Sequence, residues 1–163
     1  MNDFSIPGEP NEFGFPPSEA NFIRPFKRPL SSCTPMIVTS NDAPASSPNL
    51  PSFLATLGAG GGSRIVSATA QVLWRVVEHD FTMADAIAMP RLHDQLMPNT
   101  TVLEEKMRDE SRFWDVVQGL VDRGHEIKWV PPILSAVQGI LRRDGSFEAA
   151  SESRQKNSGG LTL

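Results

Sequence analysis

The run Leu57-Gly58-Ala59-Gly60-Gly61-Gly62-Ser63-Arg64-Ile65 joins a short apolar segment to a stretch with helical periodicity. The apolar segment is 53–57, and the helical stretch is 65–77. A strand, a glycine turn and a helix start in this order place unencumbered backbone N–H groups at a helix N-terminus. Such groups attract a bound anion or stabilise an oxyanion that forms during acyl transfer.

The glycine run does not complete either common nucleotide-binding motif. Ser63 stands where Gly-x-Gly-x-x-Gly requires its last glycine, and the acidic residue expected about 20 positions further on is not clearly placed. A P-loop needs Gly-Lys-Ser/Thr where this chain has Gly-Ser-Arg. The residues alone therefore leave two main alternatives, an anion or oxyanion site and a turn required only for tight strand–helix packing.

The composition is that of an ordinary globular protein. Of 163 residues, 21% are charged and 39% hydrophobic, which fits one domain with a sizeable core. The net charge of −4, without clustered basic residues, gives no reason to expect a nucleic-acid partner. No apolar run approaches the roughly 20 residues of a membrane-spanning helix, and the first residues lack the pattern of a secretory signal. One cysteine and three scattered histidines favour neither a disulfide framework nor a metal or cofactor site.

Residues 1–35 are predicted to be extended and rich in turns, because six prolines between Pro7 and Pro29 forbid a long helix. The segment nevertheless carries seven phenylalanine and isoleucine residues from Phe4 to Phe26. Disordered linkers are poor in aromatic residues. We therefore expect this segment to pack against something, within this chain or outside it.

The rest of the chain predicts mixed helices and strands. The Thr82-Met83-Ala84-Asp85 run has the form of a capping box, Asp144-Gly145 predicts a hairpin turn, and Gly124 is placed to end a helix. On the 65–77 helix, Gln71, Arg75 and Glu78 are predicted to face away from the apolar stripe. The predicted elements are strands at 35–39, 53–57, 101–104 and 125–130, helices at 65–77, 82–90 and 113–121, a hairpin of 135–142 with 147–151, a loop at 40–52 and a polar tail at 152–163. This mixture predicts an α/β or α+β layered fold.

Three hydroxyls and a thiol lie between Pro29 and Pro35, which keep the backbone extended. Ser31 and Ser32 can donate hydrogen bonds to a carboxylate, although serines in such a position commonly serve turns or caps. Cys33 has no nearby histidine to activate it, and a packing role is expected for it. Asn99-Thr100-Thr101 fits the N-glycosylation pattern, which matters only if the chain meets the secretory pathway.

Five motifs in the right order resemble the C-terminal part of the small subunit of the γ-glutamyltranspeptidases (glutathione hydrolases). The resemblance covers nearly the whole chain, with Cys33 standing where methionine is usual in the family. The motifs are Met1-Asn2-Asp3-Phe4-Ser5, Lys27-Arg28-Pro29-Leu30-Ser31-Ser32, Gly60-Gly61-Gly62-Ser63-Arg64-Ile65, Ala88-Met89-Pro90-Arg91-Leu92-His93 and Ala149-Ala150-Ser151-Glu152-Ser153-Arg154.

The resemblance implies a four-layer αββα N-terminal-nucleophile hydrolase fold, present here in truncated form. It implies acyl transfer from γ-glutamyl compounds such as glutathione to water, an amino acid or a peptide, by way of a γ-glutamyl-enzyme and without a cofactor. By resemblance, Asp3 binds the substrate's α-ammonium, Ser31 and Ser32 hold its α-carboxylate, and the N–H groups of Gly61 and Gly62 form the oxyanion hole.

The resemblance also implies what this chain does not supply. The family's nucleophile is a threonine at the N-terminus of the mature small subunit, and no threonine here matches it, so the isolated chain is expected to be inactive. The large subunit or upstream part of the precursor is the implied partner, and the family suggests an extracellular, membrane-anchored or vacuolar location. Two other hypotheses stay open: a non-catalytic remnant that binds γ-glutamyl compounds or a partner subunit, and a related amidase acting on another acyl group.

Overall fold

A computed structural model describes residues 3–41, 52–132 and 135–162 of the chain. The strands are β1 Met36–Ser40, β2 Ser52–Gly60, β3 Leu92–His93, β4 Thr101–Glu104, β5 Ile127–Val130, β6 Ala136–Arg143 and β7 Ser146–Ala150. The α-helices are α1 Arg64–His79, α2 Met83–Ala88, α3 Lys106–Asp109 and α4 Trp114–Val121, and short 3-10 helices cover Glu19–Asn21 and Ser111–Phe113. Within the described ranges, no helix has the length and apolar character needed to cross a membrane.

The larger sheet is antiparallel, with strand order β1-β2-β6-β7. Helices α1 and α2 pack on one of its faces, because alternate side chains of β2 and β6 point toward the apolar stripe of α1. The main core lies between these two layers and contains Ala55, Leu57, Ala68, Val72, Val76, Met83, Ala86, Ile87, Val137 and Leu141. The mixed α/β architecture predicted from the sequence is confirmed.

The other face of this sheet carries exposed apolar side chains. Ile37, Ile140 and Phe147 are exposed there, and the rings of Phe53 and Phe147 lie 6.0 Å apart at 47°. A sheet with one helix-covered face and one apolar open face is half of a sandwich. The N-terminal segment has the same character, since Phe15, Ile23 and Phe26 among others are exposed to solvent.

The local signals in the sequence predicted their elements well. Asp144 and Gly145 have φ angles of 49° and 82°, the left-handed pair that a two-residue hairpin turn requires. The Thr82 hydroxyl accepts a hydrogen bond from the Asp85 N–H at 3.0 Å and caps α2. Strand β2 is longer than predicted, since it continues through Gly60, so that the glycine turn is confined to positions 61–63. The predicted loop at 40–52 lies mostly outside the described residues.

A second, smaller sheet has the order β3-β4-β5, with β4 and β5 parallel. Its core contains Leu103, Met107 and Phe113. The segment between β3 and β4 is fixed by Asp94, whose carboxylate accepts hydrogen bonds from the hydroxyl of Thr101 and from the Leu96 N–H. These bonds, the one from Thr101 foremost, hold the pKa of Asp94 below its ordinary value. His125 adds a contact, its Nδ1 lying 3.5 Å from the same carboxylate.

The lowered pKa of Asp94 predicts how the free energy of unfolding changes with pH in the acidic range. Because the folded pKa is depressed, the contribution of Asp94 to stability is complete above the unfolded carboxyl pKa of about 3.9 and is lost as the pH falls through the folded value. We expect Asp94→Asn to lower the free energy of unfolding at neutral pH and to make its fall toward pH 3 shallower. Urea unfolding followed across this range measures both effects. Glu12→Gln, at an exposed position of the N-terminal segment, is the control, and its profile should match that of the wild-type chain.

Gly139 is required by packing between β6 and α2. A Cβ at this position would lie 2.6 Å from Met83 Sδ and 3.2 Å from Leu57 Cβ, and Met83 is fully buried. We expect Gly139→Ala to lower the free energy of unfolding by about 1–3 kcal/mol through overpacking. Chemical denaturation measures the loss, and in a Met83→Ala background Gly139→Ala should cost less if the clash with Met83 is the cause. Equal stability of Gly139→Ala and the wild-type chain would contradict this packing.

Candidate active site

The glycine turn lies where β2 passes into α1. Gly61 and Gly62 have φ angles of 135° and 60°, which residues other than glycine rarely adopt. A Cβ at Gly62 would meet nothing within 4 Å, so the backbone conformation rather than crowding requires glycine there. The turn is tied to the helix by hydrogen bonds from the N–H of Arg64 to Gly61 O at 3.2 Å and from the N–H of Ile65 to Gly62 O at 3.1 Å.

The N–H groups of Gly61 and Gly62 are available to a ligand. Neither donates a hydrogen bond to any part of the chain that the structure describes, and both residues are exposed. The positive end of the 16-residue helix α1 lies directly behind them. Free amides at a helix start can hold a negative charge, and the strand–turn–helix pattern of the sequence had predicted free N–H groups at this helix start.

The serine pair lies in an exposed, extended segment before β1. The Ser31 hydroxyl accepts a hydrogen bond from the Cys33 N–H at 3.2 Å and lies 3.0 Å from Cys33 Sγ. The Ser32 carbonyl accepts a hydrogen bond from the Thr34 hydroxyl at 3.0 Å, whereas the Ser32 side chain is exposed. The expected packing role of Cys33 is wrong, because Cys33 is exposed.

Asp3 is exposed, and its carboxylate makes no hydrogen bond or ion pair with the described part of the chain. Its backbone is nevertheless anchored, because Asn21 Nδ2 donates to the Asp3 carbonyl at 2.7 Å and Ser5 pairs with Phe22 in a short bridge. The side chains of Asp3, Ser31 and Ser32 make no hydrogen bonds to one another or to the glycine turn. Their grouping around one substrate therefore stays a prediction.

A buried cluster of charged side chains is formed by residues of two other motifs. Glu152 has a relative exposure of 0%, and its carboxylate binds Arg91 at 2.6 Å and Arg154 at 2.7 Å. Arg154 also binds Glu104 at 2.8 Å, and the Val137 N–H donates to Glu152 at 3.1 Å. This set, the buried charge network, joins α2, β4, β6 and the segment after β7.

The network keeps its charges at neutral pH. Burial by itself raises the pKa of Glu152, but the hydrogen bond from Arg154 and the charge of Arg91 outweigh it and leave the pKa below its ordinary value. Burial lowers the pKa of Arg91, the charge of Arg154 lowers it further, and Glu152 partly offsets both. The Arg91–Glu152 pair is thus an ion pair in a nearly water-free place.

Three guanidinium groups surround the C-terminal end of α2. Arg75, Arg91 and Arg154 donate to its last carbonyls and the residues beyond, where the helix dipole is negative. Burial lowers the pKa of Arg75 to about 10, so it remains charged at neutral pH. The carbonyls that accept from the three arginines are those of Ala86, Ile87, Ala88, Met89 and Pro90.

The prediction that Arg75 and Gln71 face away from the core is wrong. Arg75 is 8% exposed, and Gln71 bonds both the N–H and the carbonyl of Leu92, at 3.0 and 2.7 Å. Arg75 follows Val72 by three positions and Ala68 by seven, which places it on the inner face of α1. That spacing could have identified Arg75 as a buried residue, but its charge suggested exposure to solvent.

The fold and the motifs together define a class of proteins, the N-terminal-nucleophile hydrolases. The solved structure of γ-glutamyltranspeptidase from Pseudomonas nitroreducens complexed with L-DON superposes with a TM-score of 0.74 at 32% identity, covering 100% of this chain and 79% of that chain. A sequence model of the family described as gamma-glutamyltranspeptidase matches residues 1–161. The chain belongs to the γ-glutamyltranspeptidase family, a family of enzymes.

Two fungal relatives agree with this assignment. The glutathione hydrolase proenzyme of Arthroderma benhamiae is 39% identical over 164 aligned positions, which cover 100% of this chain and 26% of the relative. The glutathione hydrolase of Aspergillus flavus is 34% identical over 163 positions, covering 99% of this chain and 25% of the relative. The chain thus spans about a quarter of the length of these curated relatives.

Proposed function

We propose that this chain forms the substrate-recognition and oxyanion part of a site that transfers γ-glutamyl groups and hydrolyses glutathione and γ-glutamyl amides. The observation that supports this proposal best is the pair of free N–H groups at Gly61 and Gly62. Membership of the family supports the same reaction. Asp3, Ser31 and Ser32 would complete the site as the recognition residues.

In the proposed reaction, a nucleophilic hydroxyl attacks the γ-carbonyl carbon of the bound substrate. The carbonyl π electrons move onto oxygen, and the N–H groups of Gly61 and Gly62 stabilise the oxyanion. The oxyanion then collapses, the carbon–nitrogen bond breaks, and the leaving amine takes the proton that the nucleophilic hydroxyl gave up during its attack. Water or an amine acceptor next attacks the γ-glutamyl ester and restores the hydroxyl. Loss of one oxyanion donor typically costs about 3–4 kcal/mol of barrier.

Recognition of the γ-glutamyl group requires contacts to a zwitterion. An anion must meet the α-ammonium, and hydrogen-bond donors must meet the α-carboxylate. Asp3 provides an exposed carboxylate without a competing cation in the described part of the chain, and the hydroxyls of Ser31 and Ser32 provide the donors. A charge-assisted hydrogen bond of this kind contributes about 1.5–3 kcal/mol.

The proposed nucleophile comes from another part of the precursor, and the proposed partner is the large subunit. A catalytic threonine of this class uses its own free α-amine as the base, and no threonine of this chain lies in a motif that matches the family's nucleophile. The open sheet face with Ile37, Ile140 and Phe147 would accept the rest of the fold. We therefore propose that the isolated chain does not turn over substrate.

An anilide assay tests this proposal. The purified chain should release no aniline from a γ-glutamyl anilide, and the chain joined to the upstream part of a family precursor should release it. Activity of the isolated chain would contradict the division of roles. If both preparations are inactive but bind a γ-glutamyl compound by calorimetry, the alternative of a non-catalytic binding chain is favoured instead.

A further inference from the structure

His93 is the second residue of β3, its ring faces α1, and its relative exposure is 8%. Its Nδ1 is 2.8 Å from the hydroxyl of Ser67, which is in the first turns of α1. Its Nε2 is 2.8 Å from Oε1 of Gln95. Both ring nitrogens are therefore engaged, one by the helix and one by the segment after β3.

The side chain of Gln95 fixes the tautomer of the neutral ring. Gln95 Nε2 donates to the carbonyl of Met97 at 2.8 Å, so the amide oxygen faces His93. An amide oxygen only accepts, and His93 Nε2 must therefore carry a hydrogen. In the neutral imidazole, Nδ1 is then the acceptor, and the Ser67 hydroxyl donates to it.

Protonation of His93 reverses this last hydrogen bond. Nδ1 then carries a hydrogen and donates to the Ser67 oxygen, so the hydroxyl must find another acceptor. The carbonyl of Arg64 lies 3.1 Å from it, in the geometry of a serine that bonds back into its own helix. Arg64 is the first residue of α1, and its N–H holds the carbonyl of Gly61 at 3.2 Å.

We propose that His93 is a positioning residue for the Gly61–Gly62 turn, acting through Ser67 and Arg64, and that its neutral form maintains the turn. This inference rests on the proposed function, which gives the amides of that turn their role. The charged side chains that line the same small cavity are Arg64, Arg91 and Glu104. An imidazolium there adds a positive charge beside two guanidinium groups and one carboxylate. Protonation therefore changes the electrostatics and the hydrogen bonding of the first turn together.

Nuclear magnetic resonance of the full 163-residue chain tests the coupling without any activity measurement. The ring signals of His93 and the amide signals of Gly61 and Gly62 are followed from about pH 5 to pH 8.5, the range in which histidine ordinarily titrates. We expect the two amides to shift with the same midpoint as the His93 ring. Amides that stay constant while His93 titrates would overturn the proposal, as would a His93 that does not titrate in this range.

Three variants separate the proposed path from a general effect on the helix. In Ser67→Ala the amides should no longer follow the titration of His93. In His93→Asn an amide group can still bond Ser67 without titrating, so the glycine amides should stay near their neutral-form positions at every pH. In Thr69→Val, which removes a hydroxyl that donates to Ile65 O at 2.8 Å in the same helix, the response should persist. A response that survives Ser67→Ala would overturn the path.

The pH dependence of kcat tests whether His93 affects the reaction. In the chain joined to the upstream part of a family precursor, we expect kcat to fall about threefold to tenfold as His93 becomes protonated, the size of one net hydrogen bond, with KM unchanged. His93→Asn should lose this fall at low pH. If the joined protein is inactive, the proposed function fails, while the amide titration still decides whether His93 and the turn are coupled.

Discussion

Replacing Glu152 by glutamine (Glu152→Gln) is expected to lower the free energy of unfolding by about 3–5 kcal/mol, the cost of breaking a buried ion pair from one side. The substitution keeps the shape but removes the charge, which leaves Arg91 buried at 3% exposure without its anion. Arg154 keeps Glu104 as a partner, whereas the partners that remain for Arg91 among the described residues are the hydroxyl and carbonyl of Ser135 and the carbonyl of Ile87. Urea unfolding at neutral pH measures the loss.

Glu110→Gln is the matched control for this experiment. Glu110 contacts Arg112 at 2.5 Å and Lys106 at 3.8 Å, but both basic side chains are more than half exposed. Exposed pairs of this kind contribute at most about 1 kcal/mol, so the control should lose far less. Equal losses from Glu152→Gln and Glu110→Gln would mean that the buried charge network does not stabilise the fold.

The same network gives two of the family-like motifs a physical role. Arg91 lies in the run that ends α2 and begins β3, and Glu152 and Arg154 lie just after β7. Their ion pairs connect the segment after β7 to the end of α2 and to β4, and the Val137 N–H of β6 donates to Glu152. These residues therefore support the scaffold on which the glycine turn is built, rather than the chemistry itself.

What the sequence predicted correctly depends on local physics. The hairpin turn at Asp144-Gly145 and the cap at Thr82 are set by backbone angles and by bonds between residues three apart or less. The glycine turn belongs to the same category, because a positive φ at Gly61 and Gly62 is a demand on single residues. Such features need no knowledge of the rest of the fold.

What the sequence did not predict depends on contacts between distant residues. Arg91 and Glu152 are 61 positions apart, and nothing in their local sequence identifies them as partners. The charge of Arg75 suggested that its side chain is exposed to solvent. Its hydrogen-bond partners lie 11 to 15 positions away at the end of α2, and the local sequence does not indicate them. For the recognition residues, resemblance supplied Asp3, Ser31 and Ser32, and their grouping stays a prediction because their side chains make no hydrogen bonds to one another.

Asp3→Asn, in the chain joined to the upstream part of a family precursor, is expected to weaken the binding of a γ-glutamyl substrate by about 10-fold to 150-fold. This range corresponds to the roughly 1.5–3 kcal/mol of a charge-assisted hydrogen bond. An amide keeps the size of the side chain but cannot supply the negative charge that an α-ammonium group requires. Because the carboxylate is exposed and unpaired within the described residues, the free energy of unfolding should stay within about 0.5 kcal/mol of the wild-type value.

The choice of substrate determines whether Asp3 acts through the α-ammonium group. With a matched acyl substrate that lacks the α-amino group, the joined protein should react alike with Asp3 or with Asn at this position, since the contact does not exist in either case. Glu9→Gln, which changes an exposed carboxylate in the same segment, should leave the KM for both substrates unchanged. An equal loss for both substrates in Asp3→Asn would instead mean that Asp3 shapes the segment. Selection of an amino-acid end would then have to come from other residues, because Ser31 and Ser32 can recognise only its carboxylate.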